Sequence, residues 1–132
     1  MNLAKVQSVI SRSFDRLSIY GIGFNDFMIL YILMQATGER MRRIDLAEKI
    51  GLTASGVTRM LMPLEKIGLI KREANERDAR VSYVVLTETG KKLFEDAKET
   101  AGSVAREIIP TEKTKKIATL ADLLSDLGGN IT

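Results

Sequence analysis

The spacing of the apolar residues changes at Gly68, and this change constrains the fold more than any other feature of the chain. Before it, Val57, Leu61, Leu64 and Ile67 recur every three or four residues, which is the period of a helix with one buried face. After it, apolar and polar residues alternate in two short runs that are typical of strands. The segment from Asp45 to Thr87 is therefore predicted to form two short helices followed by a two-stranded hairpin.

The two predicted helices are joined by a very short turn. Gly51 is suited to end the first helix because glycine tolerates a left-handed backbone. Thr53 is a natural N-cap for the second helix, which is predicted to end at Ile67. This pair has the tight connection that a helix-turn-helix requires. The apolar face of the first helix comprises Ile44, Leu46, Ala47 and Ile50.

The rest of the chain is predicted to be helical. An amphipathic helix begins near Leu3, and a helix that is apolar on nearly all sides follows an Asn25 N-cap, so it belongs in the core. A polar link from Gly38 to Arg43 then leads to the helix-turn-helix. Thr87 is the expected N-cap of a long helix that Pro110 interrupts, and one more amphipathic helix follows. The predicted fold class is mainly α with a small β-hairpin wing (α+β).

Length and composition are those of one globular domain. The chain has 132 residues, 45% of them apolar and 28% charged. No apolar run has the length of a membrane-spanning helix, and the N-terminal segment lacks the continuous apolar centre of a secretory signal. We therefore expect a cytoplasmic protein with no membrane association.

Cysteine and histidine are both absent from the sequence. Their absence removes disulfides, thiol redox sensing, the usual zinc-finger sites and catalysis by Cys–His or Ser–His pairs. Carboxylates remain, but no close cluster of them accompanies a pocket motif. We therefore expect neither an enzyme, nor a metal site, nor a cofactor.

The positive charge is concentrated in one part of the chain. The net charge is only +3, yet residues 40–80 carry ten basic and six acidic side chains, a balance of +4 that leaves −1 for the remainder. This concentration is expected of a nucleic-acid-binding surface. An ordinary solvated face could carry the same excess.

Several short motifs occur in a fixed order, and together they resemble the MarR family of winged helix-turn-helix transcription regulators. One helix-turn-helix motif alone is a weak signal, whereas this ordered series is a strong one. The resemblance covers essentially the whole chain, which we treat as a single domain over residues 1–132. The motifs are Leu46-Ala47, Val57-Thr58-Arg59, Leu64 to Gly68, Asp78 with Arg80, and Leu86-Thr87 followed by Gly90.

The resemblance also implies a division of the chain. Residues 25–87 would form the winged helix-turn-helix lobe, and residues 1–22 and 88–132 would supply dimerisation helices. Large apolar stripes on these terminal helices favour a homodimer independently, although they could also pack on their own lobe. Such a dimer would bind double-stranded DNA at two half-sites about 34 Å apart in a pseudo-palindromic operator.

The second helix of the pair would be the recognition helix, with several small or polar side chains toward the DNA groove. Thr53, Ser55 and Thr58 could donate hydrogen bonds to phosphates or bases. Gly56 would let the backbone come close, and Arg59 could bind a phosphate or a guanine. Helix capping alternatively accounts for Thr53 and Ser55, so Arg59 has the stronger claim.

The tip of the hairpin carries a second group of candidate contacts. A wing resting on a minor groove would carry Arg77, Arg80 or both inward. The family resemblance assigns Asp78 a wing-stabilising role and Arg80 a DNA contact. A solvated charged turn is the alternative, and it is the common fate of such runs.

Two positions strain the family pattern. Pro63 lies inside the second helix, where it removes the amide that would bond the Arg59 carbonyl, and we expect it to bend the helix. Arg42 stands where the family usually has a capping Thr or Ser, and its charge opposes the helix dipole unless a phosphate neutralises it. Arg42 and Arg43 are therefore candidate phosphate contacts.

The resemblance and the basic segment together predict a sequence-specific DNA-binding transcription regulator, expected to be a ligand-responsive repressor that acts as a homodimer. A small-molecule effector could lie beside Tyr20, Phe24, Phe27 and Tyr31, although aromatic residues at helical spacing are more often core. The alternative function is a winged-helix protein-interaction module that binds DNA only non-specifically.

Overall fold

The computed structural model of the chain describes residues 1–109 and 111–131, and it divides into two compact units. Unit 1 comprises residues 1–24 and 96–130, and unit 2 comprises residues 25–95 with residue 131. The helices are α1 (Asn2–Ser13), α2 (Phe24–Gln35), α3 (Arg43–Ile50), α4 (Ala54–Lys66), α5 (Glu88–Ile108) and α6 (Thr114–Asp126), the strands are β1 (Arg40–Arg42), β2 (Ile70–Ala74) and β3 (Ser82–Leu86), and 3₁₀ turns cover Phe14–Tyr20, Thr37–Glu39 and Thr111–Lys113.

The predicted helix-turn-helix is present in unit 2 as α3 and α4. Gly51 ends α3 with a left-handed backbone, φ 78°, and its N–H bonds the Ala47 carbonyl at 2.9 Å. The Thr53 hydroxyl accepts a hydrogen bond from the Gly56 N–H at 3.0 Å, so the predicted N-cap of α4 is confirmed. The helix-turn-helix therefore depends on two residues that are recognisable in the sequence, Gly51 at the end of α3 and Thr53 at the start of α4.

The C-terminal end of α4 leads directly into the sheet. Gly68 takes a left-handed conformation, φ 82°, and its N–H bonds the Glu65 carbonyl at 3.0 Å. The next N–H, that of Leu69, bonds the Leu64 carbonyl at 2.9 Å, which completes a Schellman cap with both leucines buried. The helix itself is continuous through Pro63 to its last residue.

The sheet has three strands in the order β1-β3-β2, all antiparallel. The prediction of a two-stranded hairpin was therefore incomplete, because β1 lies in the segment assigned to a polar link. Met41 of β1 and Arg72 of β2 both pair with Val84 of β3. A three-residue strand with two exposed arginines carries no apolar run, so only its pairing with β3 defines it.

The core of unit 2 surrounds α2, as its nearly continuous apolar sequence predicts. No single helix in the described ranges is long and apolar enough to cross a membrane. The buried apolar side chains of this unit are Ile29, Leu30, Ile32 and Leu33 of α2, Leu46 and Ala47 of α3, Val57, Leu61 and Leu64 of α4, and Leu69, Ile70, Val84, Leu86 and Phe94.

Unit 1 is held together around the 3₁₀ segment Phe14–Tyr20. Phe14 is buried and stacks on Phe24 with ring centroids 4.5 Å apart. Tyr20 and Thr100 share a hydrogen bond of 2.9 Å between their hydroxyls. The large apolar residues of this unit that remain exposed are Met1, Leu3, Val6, Val9, Ile19, Ile109, Leu120, Leu123, Leu124 and Leu127.

Three details of the helical prediction were wrong. Asn25 lies inside the first turn of α2, which begins at Phe24, so it is not the N-cap. Ile44 and Ile67 were placed on apolar faces but are 62% and 54% exposed. Periodicity identifies a helix face but not which of its terminal positions lie beyond the core. The predicted interruption at Pro110 falls outside the described residues.

Candidate nucleic-acid interface

Helix α4 has one buried row and one exposed row. Val57, Leu61 and Leu64 are buried, and the opposite side presents Ser55, Arg59, Met62 and Lys66, all exposed. These four positions are separated by four, three and four residues, so they follow one line along the helix. The exposed row is therefore the face that α4 can offer to a groove.

Arg59 is the free cation in the middle of this row. Its side chain is exposed, and within residues 1–109 and 111–131 it forms no hydrogen bond or ion pair. A guanidinium with five unsatisfied donors suits a phosphate or the O6 and N7 atoms of guanine. Of the residues predicted for the recognition helix, Arg59 has the geometry that fits its role most directly.

The small residues at the start of α4 form hydrogen bonds mainly with one another. The Thr53 hydroxyl caps Gly56 and lies 3.3 Å from the Ser55 hydroxyl. A Cβ added at Gly56 would lie 3.1 Å from the Thr53 hydroxyl oxygen. Gly56 thus allows this cap to close tightly, while the exposed Ser55 remains able to turn toward a ligand.

Thr58 is placed differently from the other predicted contacts. Its hydroxyl donates to the Ala54 carbonyl at 2.9 Å and accepts a hydrogen bond from Arg43 Nη1, also at 2.9 Å. The same Arg43 nitrogen donates to the Ala54 carbonyl at 3.1 Å. Arg43 and Thr58 therefore join the start of α3 to the first turn of α4, which fixes the position of α4 relative to α3.

Arg42 occupies the N-cap position of α3, and a carboxylate on the same helix compensates its charge. Arg42 Nε lies 2.9 Å from Asp45 Oδ2, and this hydrogen bond and charge raise the pKa of the Arg42 guanidinium. The negative Asp45 also suits the positive end of the helix dipole. Asp45 thus supplies the neutralisation that the sequence had suggested would need a phosphate.

The wing tip between β2 and β3 is shaped by two side chains that accept backbone hydrogen bonds. Asn75 Oδ1 accepts the Arg77 N–H at 2.8 Å, and Asp78 Oδ1 accepts the Arg80 N–H at 3.0 Å. Asp78 Oδ1 also lies 3.2 Å from Arg80 Nε, yet the Arg80 side chain stays 92% exposed. The carboxylate therefore orients an arginine that projects into solvent.

The outer face of the sheet adds a cation that the sequence reasoning missed. The Arg40 guanidinium lies 4.2 Å from the ring centroid of Tyr83 and its Nη1 is 3.3 Å from Glu73 Oε2. The carboxylate of Glu73 also contacts Lys71 Nζ at 3.2 Å. The alternation of Arg40 and Arg42 around Met41 was the one sequence signal for this strand face.

The aromatic residues predicted beside an effector each lie against another side chain. Phe27 stacks on Phe94 at 5.2 Å between ring centroids, and Tyr31 is tilted against the same ring at 6.3 Å. Both belong to unit 2, whereas Tyr20 and Phe24 make the unit 1 contacts described above. The four aromatic residues are therefore packed against other side chains but only half-buried.

Comparison with known proteins shows which family this arrangement of helices and wing resembles. Residues 25–82 match the model of the MarR family. The chain is 27% identical over 129 residues to YdgJ of Bacillus subtilis, an uncharacterised HTH-type transcriptional regulator, and the match spans 98% of this chain and 76% of that protein. The winged helix-turn-helix lobe of the chain is therefore similar to that of the MarR family. The matches to YfiV of Bacillus subtilis and to PapX of Escherichia coli are shorter and span 31% and 51% of those proteins.

Solved structures share the fold of this chain. The MepR–DNA complex of S. aureus has a TM-score of 0.82 at 22% identity, covering 94% of each chain. CouR of Rhodococcus jostii, bound to p-coumaroyl-CoA, has a TM-score of 0.83 at 19% identity, covering 95% of this chain and 87% of CouR. At these identities the likeness establishes the winged helix fold and leaves the site to be argued from this chain's own residues.

Proposed function

We propose that this protein is a MarR family regulator and that, as a homodimer, it binds a specific pseudo-palindromic operator through α4 and the wing. The observation that carries the proposal is the Arg59 guanidinium in the middle of the exposed row of α4, which has no hydrogen-bond or ion-pair partner among the residues that the structure describes. Ser55 lies one turn earlier in the same row and can donate to a phosphate or a base. The hydrogen bonds from Arg43 to Thr58 and to the Ala54 carbonyl support this row by fixing the first turn of the helix.

The wing would bind DNA beside the recognition helix. Arg80 projects from the tip, and Arg77 is held in the neighbouring turn by its backbone N–H. Arginines suit narrow minor grooves because negative potential concentrates there. In this proposal Asp78 orients the wing, Arg80 enters the groove, and Arg77 contacts the adjacent backbone.

The exposed apolar side chains of unit 1 support a homodimer. Leu3 and Val6 of α1 and Leu120 and Leu123 of α6 are all exposed in the single chain. Stripes of this kind on terminal helices are what a two-fold interface would cover. A dimer would present two copies of α4 to half-sites about 34 Å apart, one turn of DNA.

We further propose that the protein represses transcription and that a small molecule modulates it. CouR, a structural neighbour, is known bound to p-coumaroyl-CoA, and MepR is known bound to DNA. A ligand that favours one separation of the two lobes over another would change operator affinity by the ratio of its affinities for the two states. The regulator acts by binding, not by turnover.

Selection of bound duplexes from a random pool tests the DNA-binding proposal. Arg59→Ala and Arg80→Ala should each weaken binding to the selected duplex, with greater loss of discrimination for the residue that reads bases. Lys92→Ala is the matched control because it removes one exposed positive charge from α5 of the same unit. Unchanged binding in both arginine variants would contradict the site assignment.

Salt titration separates the operator-binding function from the alternative protein-interaction module. An operator-binding protein should prefer the selected duplex over random duplexes at every salt concentration that permits binding. An interaction module should bind all duplexes equally and only at low salt. The second result would indicate that the exposed row of α4 binds an acidic protein partner instead of a specific operator.

A further inference from the structure

The exposed row of α4 contains one large apolar side chain among polar ones. Met62 is 58% exposed, and it lies one turn beyond Arg59 on the same line. Pro63 follows it and is also exposed, so the two residues form one apolar patch beside Arg59. An apolar patch in the centre of a cationic face is unexpected for a surface that contacts only phosphates.

These residues border an open concavity of about 720 Å³. Its wall includes an ion pair in which Arg72 Nε lies 2.8 Å from Glu65 Oε2, and this pair ties the end of α4 to β2. This ion pair fixes one wall of the concavity, and Met62 lies at the side of the concavity, which opens to solvent. The residues that line the concavity are Arg59, Met62, Pro63, Glu65, Lys66 and Arg72.

We infer that Met62 is a specificity-determining residue that recognises the 5-methyl group of a thymine in the major groove. The inference rests on the proposed operator binding. Thymine is the base whose major-groove edge carries an apolar group, and apolar side chains recognise it by contact. Arg59 can engage a phosphate or a guanine next to that base, which would place the two readouts on adjacent base pairs.

The flanking charges favour DNA over an apolar protein partner for this patch. Lys66 and Arg59 lie on the same row as Met62, and Arg72 closes the far side. Their one acidic neighbour, Glu65, is already paired with Arg72. A phosphate-rich ligand would satisfy Arg59 and Lys66 while its base edges reach the apolar patch.

Replacement of thymine by deoxyuracil removes only the methyl group, so it measures this contact directly. Each thymine of the selected duplex is changed in turn, and binding is measured for the wild-type protein, Met62→Ala and Met62→Leu. The wild type should lose about fourfold in affinity at one thymine of each half-site, the effect of exposing one buried methyl group. Met62→Ala should bind the thymine and uracil duplexes equally, and Met62→Leu should keep the preference.

Ile67→Ala is the matched control because it trims an apolar side chain of similar exposure at the end of the same helix, outside the exposed row. It should retain the thymine preference of the wild type. If no thymine shows a preference that Met62→Ala abolishes, while the protein still selects a sequence, the inference about Met62 is wrong and the operator-binding function stands. If the wild type selects no sequence, the proposed function itself fails.

Discussion

At the scale of single residues, Gly90 shows how a close backbone approach dictates an amino acid. A Cβ added at Gly90 would lie 2.0 Å from the Leu69 carbonyl oxygen, and backbone cannot move aside as a flexible side chain does. The Gly90 N–H also bonds the Thr87 hydroxyl at 3.0 Å, which confirms Thr87 as the predicted cap of α5. The Thr87 hydroxyl in turn lies 2.6 Å from the Gly68 carbonyl oxygen, so one residue links the ends of two helices.

Gly90→Ala should therefore destabilise the protein, and Gly102→Ala should not. Overpacking against backbone at residue 90 is expected to lower the free energy of unfolding by about 1–3 kcal/mol. At residue 102 the nearest atom is the flexible end of Arg106, at 3.3 Å, so alanine should stabilise α5 by about 0.5–1 kcal/mol. Urea denaturation measures both variants, and equal shifts in the same direction would contradict this account.

At the scale of elements, local end signals were predictable from the sequence and tertiary pairings were not. Thr53 and Gly51 were correct because a cap depends on residues within one turn of it. Strand β1 was missed because its pairing with β3 spans about forty residues, and Arg40 was missed with it. The hydrogen bond from Arg43 to Thr58 was equally hidden, since it requires α3 and α4 to be packed together.

The wing offers a prediction about coupling between an acidic and a basic residue. Asp78→Ala removes the acceptor of the Arg80 N–H and of its Nε, so the tip should lose its orientation and operator binding should weaken. If Asp78 acts through Arg80, the double variant should bind no more weakly than Arg80→Ala alone. Fluorescence anisotropy with the selected duplex measures the cycle. Additive losses would show that Asp78 acts on the wing independently of Arg80.

At the scale of the whole molecule, the two compact units differ in what they leave uncovered. Unit 2 buries its apolar residues around α2 and leaves a row of polar and basic side chains exposed on α4. Unit 1 leaves most of the large apolar side chains of α1 and α6 in solvent, although both helices have strongly amphipathic sequences. The sequence predicted these stripes from their spacing, but a single chain does not contain the surface that would cover them.

Leu123→Glu should convert a dimer into single chains. Leu123 is 55% exposed in the single chain, and a carboxylate placed in an apolar interface would be desolvated without a partner. Sedimentation velocity at micromolar concentration should give twice the chain mass for the wild type and the single-chain mass for the variant. Ile67→Glu is the control, because it changes a residue of similar exposure in unit 2 and should leave the mass of the dimer unchanged.

Leu123→Glu should also show that the affinity gained from a second half-site and the recognition of a base within one half-site are separate properties. A single chain can occupy one half-site only, so Leu123→Glu should bind a duplex with both half-sites no more tightly than a duplex with one, whereas the wild type should gain strongly from the second. The thymine preference attributed to Met62 should persist in each half-site, because it belongs to α4 alone. A single-chain mass for the wild type would remove the dimer and the two-half-site operator together, and would leave the exposed row of α4 to act on one binding site.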